Sequence, residues 1–472
     1  MRVWRDILGG IRRFLAPSPR VFHFLLIGLL VRMLLAPWTS YPYDAYPFYG
    51  AVVGSLAGTG PYGNVLFTYP PLFSAISYPS FWTIAQFMDP ASFGTFVPSM
   101  IDISRATGMT VPFITSPVFN TVLKLPLLIG DALVGLTIYR SVNGRLGGAS
   151  AEKAFLVWFL NPLVIFVSSV HGQFDVLAAY CALVGVLSFG DRRFLMSGAV
   201  LGLGVLLKLF PAYLVISLGL VLLVPIAKGL REGRKAGSLR PLASFLAGGA
   251  MSLLTVLPFL ISSSSFLEYI LRRGTYSSVG GMNIWFISPL LSKIGGEGGS
   301  GGGAIPFGTA LLVLGFALTI AVTLLVMRKH LVKERLLACS AAVLLVVLLT
   351  QSVTNPQHLI WLFPFLVLMS CESPRMLTKV YALTVLGLLY LLCLQSGFMF
   401  LYPLAEYVGW PSVSFLNQGV EAFFIGTGLQ RAALLSLLGA GGFLTLLSVL
   451  LPSRLDYIEV AARRIFGRGD GD

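Results

Sequence analysis

The sequence has little charge. Only 11% of its 472 residues are Asp, Glu, Lys or Arg, where a soluble globular domain carries about 25%. This excludes a soluble enzyme and a disordered binding protein alike. Cysteine is sparse: Cys181, Cys339, Cys371 and Cys393 are the whole complement, and without paired spacing they imply neither a disulfide framework nor a metal site. No internal repeat is evident. The glycine run at 295–303 (GGEGGSGGG) lacks the Lys-Ser/Thr of a phosphate-binding loop and reads as a flexible tether.

What is abundant is apolar. Hydrophobic residues make up 56% of the chain and the mean hydropathy is +0.84, so apolar stretches recur along its whole length and the protein is polytopic. A hydrocarbon core of about 30 Å needs roughly 20 apolar residues in a helix. Candidate spans lie near 21–37, 117–139, 154–170, 176–190, 194–207, 209–227, 242–262, 305–327, 336–353, 359–371, 380–398 and 431–451. The first has a basic flank but runs into Ala36-Pro37-Trp38 without a small-residue cleavage site, and reads as an uncleaved span. The expected fold is all-α, a single integral membrane domain over 1–472 with about twelve spans.

Net charge is +14, yet its position argues for topology and against a nucleic-acid partner. Twenty-five of the 33 basic residues fall in 1–20, 140–153, 191–193, 228–240, 328–335, 372–379 and 452–472. Lys and Arg mark the cytoplasmic side, and twelve spans with both termini inside put all seven segments there. The stretch 71–88 is apolar enough to be a thirteenth span, which would invert every later loop. The charge pattern and Pro70, Pro71, Pro79 and Pro90, which break helices, keep it at the interface. Residues 38–116 are then one large outer loop carrying interfacial helices, and 263–304 is a second outer loop containing the tether.

Polar residues inside a bilayer are costly, about 2.5 to 3.5 kcal/mol for a charge at a span centre on insertion scales, so the few present are informative. Arg32, Lys124, Asp131 and Asn161-Pro162 lie inside spans. Asp44, His171-Gly172-Gln173-Phe174-Asp175, Lys208, Arg272-Arg273 and Asn355-Pro356-Gln357-His358 lie at outer span ends. Each has a structural reading beside the functional one. Lys124 and Asp131, two turns apart, neutralise each other or neighbours inside the bundle; Asn161-Pro162 kinks a span; Arg32 snorkels. HGQFD is a capped polar turn or part of a site, Asp44 caps an interfacial helix beginning near Pro47 or reacts, and Tyr41, Tyr43, Tyr46, Tyr49 and Tyr69 form an interfacial belt.

The order of these motifs resembles a known family. YPYDAYPFY follows the first span, GPYGNVLFTYPPLF closes the loop, and WFLNPLVIFVSSVHGQFD, LKLFPAYL and NPQHLIWLFPFL come later. An Asp just after the first span, a YPPL-type motif, an H-x-Q-F/Y-D/N turn and a K-x-x-P step together resemble the GT-C glycosyltransferases that use polyprenol-phosphate sugars, over roughly residues 21–370. These include the endoplasmic-reticulum glucosyltransferases that complete the N-glycan precursor and the first mannosyltransferase of GPI-anchor synthesis. The resemblance implies a GT-C bundle in which Asp44 is the general base. It matches the donor-phosphate side at Lys208, Arg272, Arg273, His358 and Gln357, with Tyr69, His171, Gln173 and Asp175 supporting the site. GPI-type members share a Lys and Asp spaced as Lys124 and Asp131 but carry a second acid beside the first, which Asp44-Ala45-Tyr46 lacks. No cofactor or metal is called for.

A sugar on a lipid phosphate already has a good leaving group, so one base for the acceptor hydroxyl suffices, with donors around the phosphate where charge builds. The expectation is transfer of a hexose, mannose or glucose, from a polyprenyl- or dolichyl-phosphate sugar to a lipid-linked or glycan acceptor. The reaction is an inverting displacement at the outer or lumenal face of a prokaryotic cell membrane or of the endoplasmic reticulum. The competing readings are a transporter or lipid flippase with Lys124, Asp131 and Arg32 lining a path, and a non-catalytic subunit.

Overall fold

The computed structural model describes residues 18–63, 67, 69–89, 92, 114–233, 238–258, 279–294, 307–328, 336–394, 397–409, 411–413, 415–416, 419 and 428–450. The protein is an α-helical polytopic membrane protein. Four helices are long and apolar enough to cross a bilayer, Pro117–Leu146, Pro211–Arg231, Pro374–Leu394 and Gly428–Leu450, and a bent pair forms a fifth candidate. Within the described residues, every other span expected from the sequence overlaps a helix or a helical turn.

Prolines and small polar caps fix where the helices begin. Ser18 accepts a hydrogen bond from the Val21 amide and Pro19 opens α1 (Pro19–Leu35). Pro42 opens α2 (Pro42–Leu56), Pro71 precedes α3 (Leu72–Ala85), and Ser116 with Pro117 opens α4 (Pro117–Leu146). Proline at the first helical turn loses no hydrogen bond and is preset in φ, and Ser supplies the cap. Gly147, at φ 82°, ends α4 and leads into α5 (Gly148–Phe159).

Asn161-Pro162 does kink its span. The Asn161 side chain accepts from the Leu163 and Val164 amides and donates to Thr384 Oγ1 at 2.8 Å, and α5 meets the following segment Pro162–His171 at 45°. That segment comprises α6 (Pro162–Ile165) and one π-helical turn, Phe166–His171. Next come α7 (Asp175–Gly190), α8 (Phe194–Leu207), α9 (Pro211–Arg231) and α10 (Arg240–Leu253). They are followed by α11 (Ser288–Ile294), α12 (Phe307–Arg328), α13 (Leu336–Thr350), α14 (Phe363–Ser370), α15 (Pro374–Leu394), α16 (Ala405–Val408) and α17 (Gly428–Leu450). A two-residue parallel ladder joins β1 (Gly280–Gly281) to β2 (Val353–Thr354).

The first loop returns to the end of the bundle that it leaves. The Ser40 amide donates to the Phe400 carbonyl and Thr115 Oγ1 donates to Glu406, so both ends of 38–116 dock on one short segment. Between them α3 runs through Pro79 without ending, contrary to the expectation that this proline breaks it. Its inner face buries Phe73, Ser74, Ser77 and Phe81, and Ile76, Tyr78 and Trp82 are exposed.

Inside the bundle Arg32 does not snorkel. It is fully buried, and its Nε donates to Asp131 Oδ2 at 2.8 Å while the guanidinium also donates to the Gly28 and Phe159 carbonyls. Ser168 donates to the same carboxylate oxygen at 2.6 Å. Lys124 is therefore not the partner of Asp131. Its ammonium donates to the carbonyls of Ala36, Thr39 and Val170, at the ends of α1 and of the π-helical turn. Helix C-termini present unpaired carbonyls and partial negative charge, so one cation ties the start of the first loop to the HGQFD turn.

Candidate functional site

The tie made by Lys124 sets two segments side by side, and Asp44 and His171 meet there. Asp44 lies in the first turn of α2, but it is not a cap for a helix starting near Pro47. That helix begins at Pro42, its N-cap is Tyr41, and the Asp44 carboxylate points elsewhere. Oδ2 accepts a hydrogen bond from His171 Nε2 at 2.6 Å, and Oδ1 accepts from the Tyr69 hydroxyl at 3.3 Å. The Asp44 side chain is 14% exposed and the His171 side chain is fully buried. Tyr69 thus leaves the interfacial belt, since its ring is buried and its hydroxyl serves the carboxylate.

His171 owes its position to local backbone. It closes the π-helical turn, and Gly172 at φ 83° reverses the chain into α7. A Cβ on Gly172 would sit 3.1 Å from Lys124 Cε, so glycine is favoured there on two counts. HGQFD is both readings at once, a polar turn between helices and the carrier of the Asp44 partner.

From Asp44 a chain of hydrogen bonds crosses the site. Gln173 Nε2 donates to the Tyr69 hydroxyl at 3.3 Å, and Lys208 donates to Gln173 Oε1 at 3.2 Å and to Asp175 Oδ2 at 2.7 Å. Lys208 occupies the break between α8 and α9, where Pro211 opens the next helix and Lys208 itself turns extended. Its ammonium lies 4.9 Å above the Phe174 ring and 5.6 Å above the Tyr69 ring, close enough for cation–π attraction. Lys208 lies at the span end that the sequence implies, and there it is 7% exposed and ion-paired.

Asp175 is equally committed. Besides Lys208, it accepts a hydrogen bond from the Trp361 indole, and Trp361 is sandwiched between Phe210 at 4.3 Å and His358 at 4.5 Å. Gln351 lies 3.2 Å from His358 Nδ1; its amide donating there leaves the ring proton on Nε2 when the imidazole is neutral. Gln357 is buried in the same turn, 7% exposed, with Oε1 unpartnered among the described residues. Arg272 and Arg273 lie outside the described residues, as does the tether at 295–303. No group of three or more metal-ligating side chains occurs among the described residues.

Burial alone would raise the Asp44 carboxyl. The hydrogen bond and charge of His171, the Gln173 amide and Lys208 outweigh it and hold the group below the usual carboxylate range, so it is ionised at neutral pH. Burial, followed by the charge of Asp44, pushes the neighbouring Tyr41 phenol up, which keeps it protonated. The Tyr41 ring packs edge-on against His171 at 4.9 Å, and Phe400 packs against both. The arrangement is an ionised carboxylate with a fixed histidine beside it, separated from a buried cation by a tyrosine and a glutamine.

Trp361 and Phe400 were not anticipated. Trp361 stands three residues after His358, on the same 3-10 turn (Pro356–Trp361), so NPQH could have pointed to it. Phe400 carries no sequence signal at all.

Residues 107–353, more than half of the chain, match glycosyltransferase family 87. The chain belongs to that family. It is a membrane glycosyltransferase of the GT-C class, as the motif order implied, and the family match takes in HGQFD and Lys208 and ends just before NPQH. No curated protein matches the sequence. Among solved structures, ArnT from Cupriavidus metallidurans in the apo state is similar at 15% identity with a TM-score of 0.48. The same protein bound to undecaprenyl phosphate is similar at 15% identity with a TM-score of 0.46. Each similarity covers 90% of this chain and 76% of ArnT.

Proposed function

We propose that this family 87 enzyme transfers a hexose, mannose or glucose, from a polyprenyl-phosphate sugar to a lipid-linked or glycan acceptor at the outer or lumenal face, with Asp44 as the base. The carrying observation is the Asp44 carboxylate, held ionised and aimed by His171 at 2.6 Å. An ionised carboxylate fixed at two oxygens accepts the acceptor's proton as the new C–O bond forms, and the departing polyprenyl phosphate needs no protonation. Lys208, His358 and Gln357, together with Arg272 and Arg273 from the later loop, are proposed to face the donor phosphate, where developing charge is stabilised most at low dielectric.

Inversion follows from the count of available carboxylates. Retention would require a second carboxylate as nucleophile, and Asp175 is fully buried as well as paired with Lys208 and Trp361, whereas Asp44 keeps 14% of its side chain exposed. The docking of Ser40 and Thr115 on one segment supports reading 38–116 as a single catalytic loop on one face, with α3 lying in the interface. The transporter reading loses its path, because Arg32 and Asp131 close on each other with no exposure.

The test is the purified full-length protein with a panel of polyprenyl-phosphate hexoses and lipid-linked acceptors. Release of polyprenyl phosphate, with a glycosidic product of inverted anomeric configuration, is the expected result; transfer only from nucleotide sugars would overturn the donor assignment.

A further inference from the structure

The end of α8 remote from Lys208 carries a second polar feature. A groove of about 530 Å³ opens there, lined among the described residues by Arg192, Arg193, Arg240, Ser238 and Ser244 and by no carboxylate. That volume falls within the roughly 300–1,000 Å³ usual for small-ligand pockets. Among the described residues none of the three arginines forms an ion pair. Three guanidinium groups facing one groove repel each other unless an anion joins them.

The frame of the groove is rigid. A Cβ on Gly198 would lie 1.9 Å from the Phe245 carbonyl oxygen and one on Gly248 2.0 Å from the Leu195 carbonyl oxygen, so α8 and α10 touch backbone to backbone. The contacts advance together along both helices, which therefore run parallel and start at the same end. Their first turns thus bring unpaired amides to the groove beside the arginines. Leu195 and Met196 also line it and are 48% and 45% exposed, so apolar surface adjoins the cations directly. Fourteen residues of α8, at about 1.5 Å each, put roughly 21 Å between this groove and Lys208.

We infer that this groove binds the headgroup of an anionic glycerophospholipid from the leaflet opposite the Asp44 site. The arginines and Ser238 and Ser244 take the phosphate, and the acyl chains lie on Leu195 and Met196. Charge complementarity selects an anionic headgroup, and the adjoining apolar surface selects a lipid over a soluble phosphate. The inference is independent of the sugar and acceptor.

Native mass spectrometry of the full chain, released from vesicles of equal phosphatidylglycerol and phosphatidylcholine, tests it. Phosphatidylglycerol adducts should dominate in the parent. Arg192→Gln, Arg193→Gln and Arg240→Gln should each lower their retention by roughly fivefold, the contribution of one basic residue at an anionic surface, while Arg145→Gln, on another loop, should leave it unchanged. Excess inorganic phosphate should not displace the lipid. Retention in the three groove variants equal to the parent's, an equal loss in Arg145→Gln, or displacement by inorganic phosphate would each overturn the assignment. Melting temperatures measured in detergent without lipid separate lost binding from lost folding.

Discussion

His171 Nε2 and Asp44 Oδ2 are 2.6 Å apart although 127 residues separate them in the chain. The histidine fixes the carboxylate's direction and charge, and the consequence is visible in pH. Because the Asp44 carboxyl is depressed in the folded protein, the stability it contributes is present above the ordinary carboxylate value of about 3.9 and is lost as pH falls through the lower folded value. Replacing His171 by Gln leaves burial as the main influence, which raises the group. The acid limb of the kcat/KM profile should therefore move to higher pH in His171→Gln, and an unmoved limb would show that His171 does not act on Asp44.

The Arg32–Asp131 pair should behave as a structural unit. Arg32→Met or Asp131→Leu alone strands a buried charge and should cost about 3–5 kcal/mol, read as a lowered melting temperature in detergent. The double variant should recover most of that loss. A double variant as unstable as the sum of the singles would show that the two residues act separately.

Lys208 calls for a similar design, because it is buried against Asp175. Lys208→Gln alone leaves Asp175 unbalanced and should destabilise the protein. The Lys208→Gln/Asp175→Asn pair should restore folding but raise the KM for the donor if the ammonium faces the donor phosphate. Full recovery of donor kinetics in the double variant would make the pair purely structural.

The assignment of 38–116 to one face is checked by labelling. Single cysteines at Thr59 and Ser104, the latter outside the described residues, should both react with an impermeant thiol reagent applied from the outer side. Reaction at Thr59 alone would mean that α3 crosses the membrane.

The helices were legible because apolar runs and proline starts are local properties. Asp44, HGQFD and NPQH were legible because polar side chains are rare near a bilayer. Their partnerships were not, since sequence spacing says nothing of tertiary approach. Lys124 and Asp131 sit two turns apart, yet each finds its partners on other elements, Ala36 and Thr39 for one and Arg32 for the other. Lys208 is legible as a cation at an outer span end, but its enclosure by Gln173 and Asp175 depends on tertiary approach.

Turnover of Asp44→Asn tests the central claim most directly. Asn fills the same space and can hold the Tyr69 hydrogen bond, but it cannot take a proton from a hydroxyl. A general base typically contributes about 10²- to 10⁴-fold. The variant should lose at least that much turnover while keeping expression, melting temperature and donor binding. Activity within a few-fold of the parent would contradict the account and remove Asp44 from the chemistry.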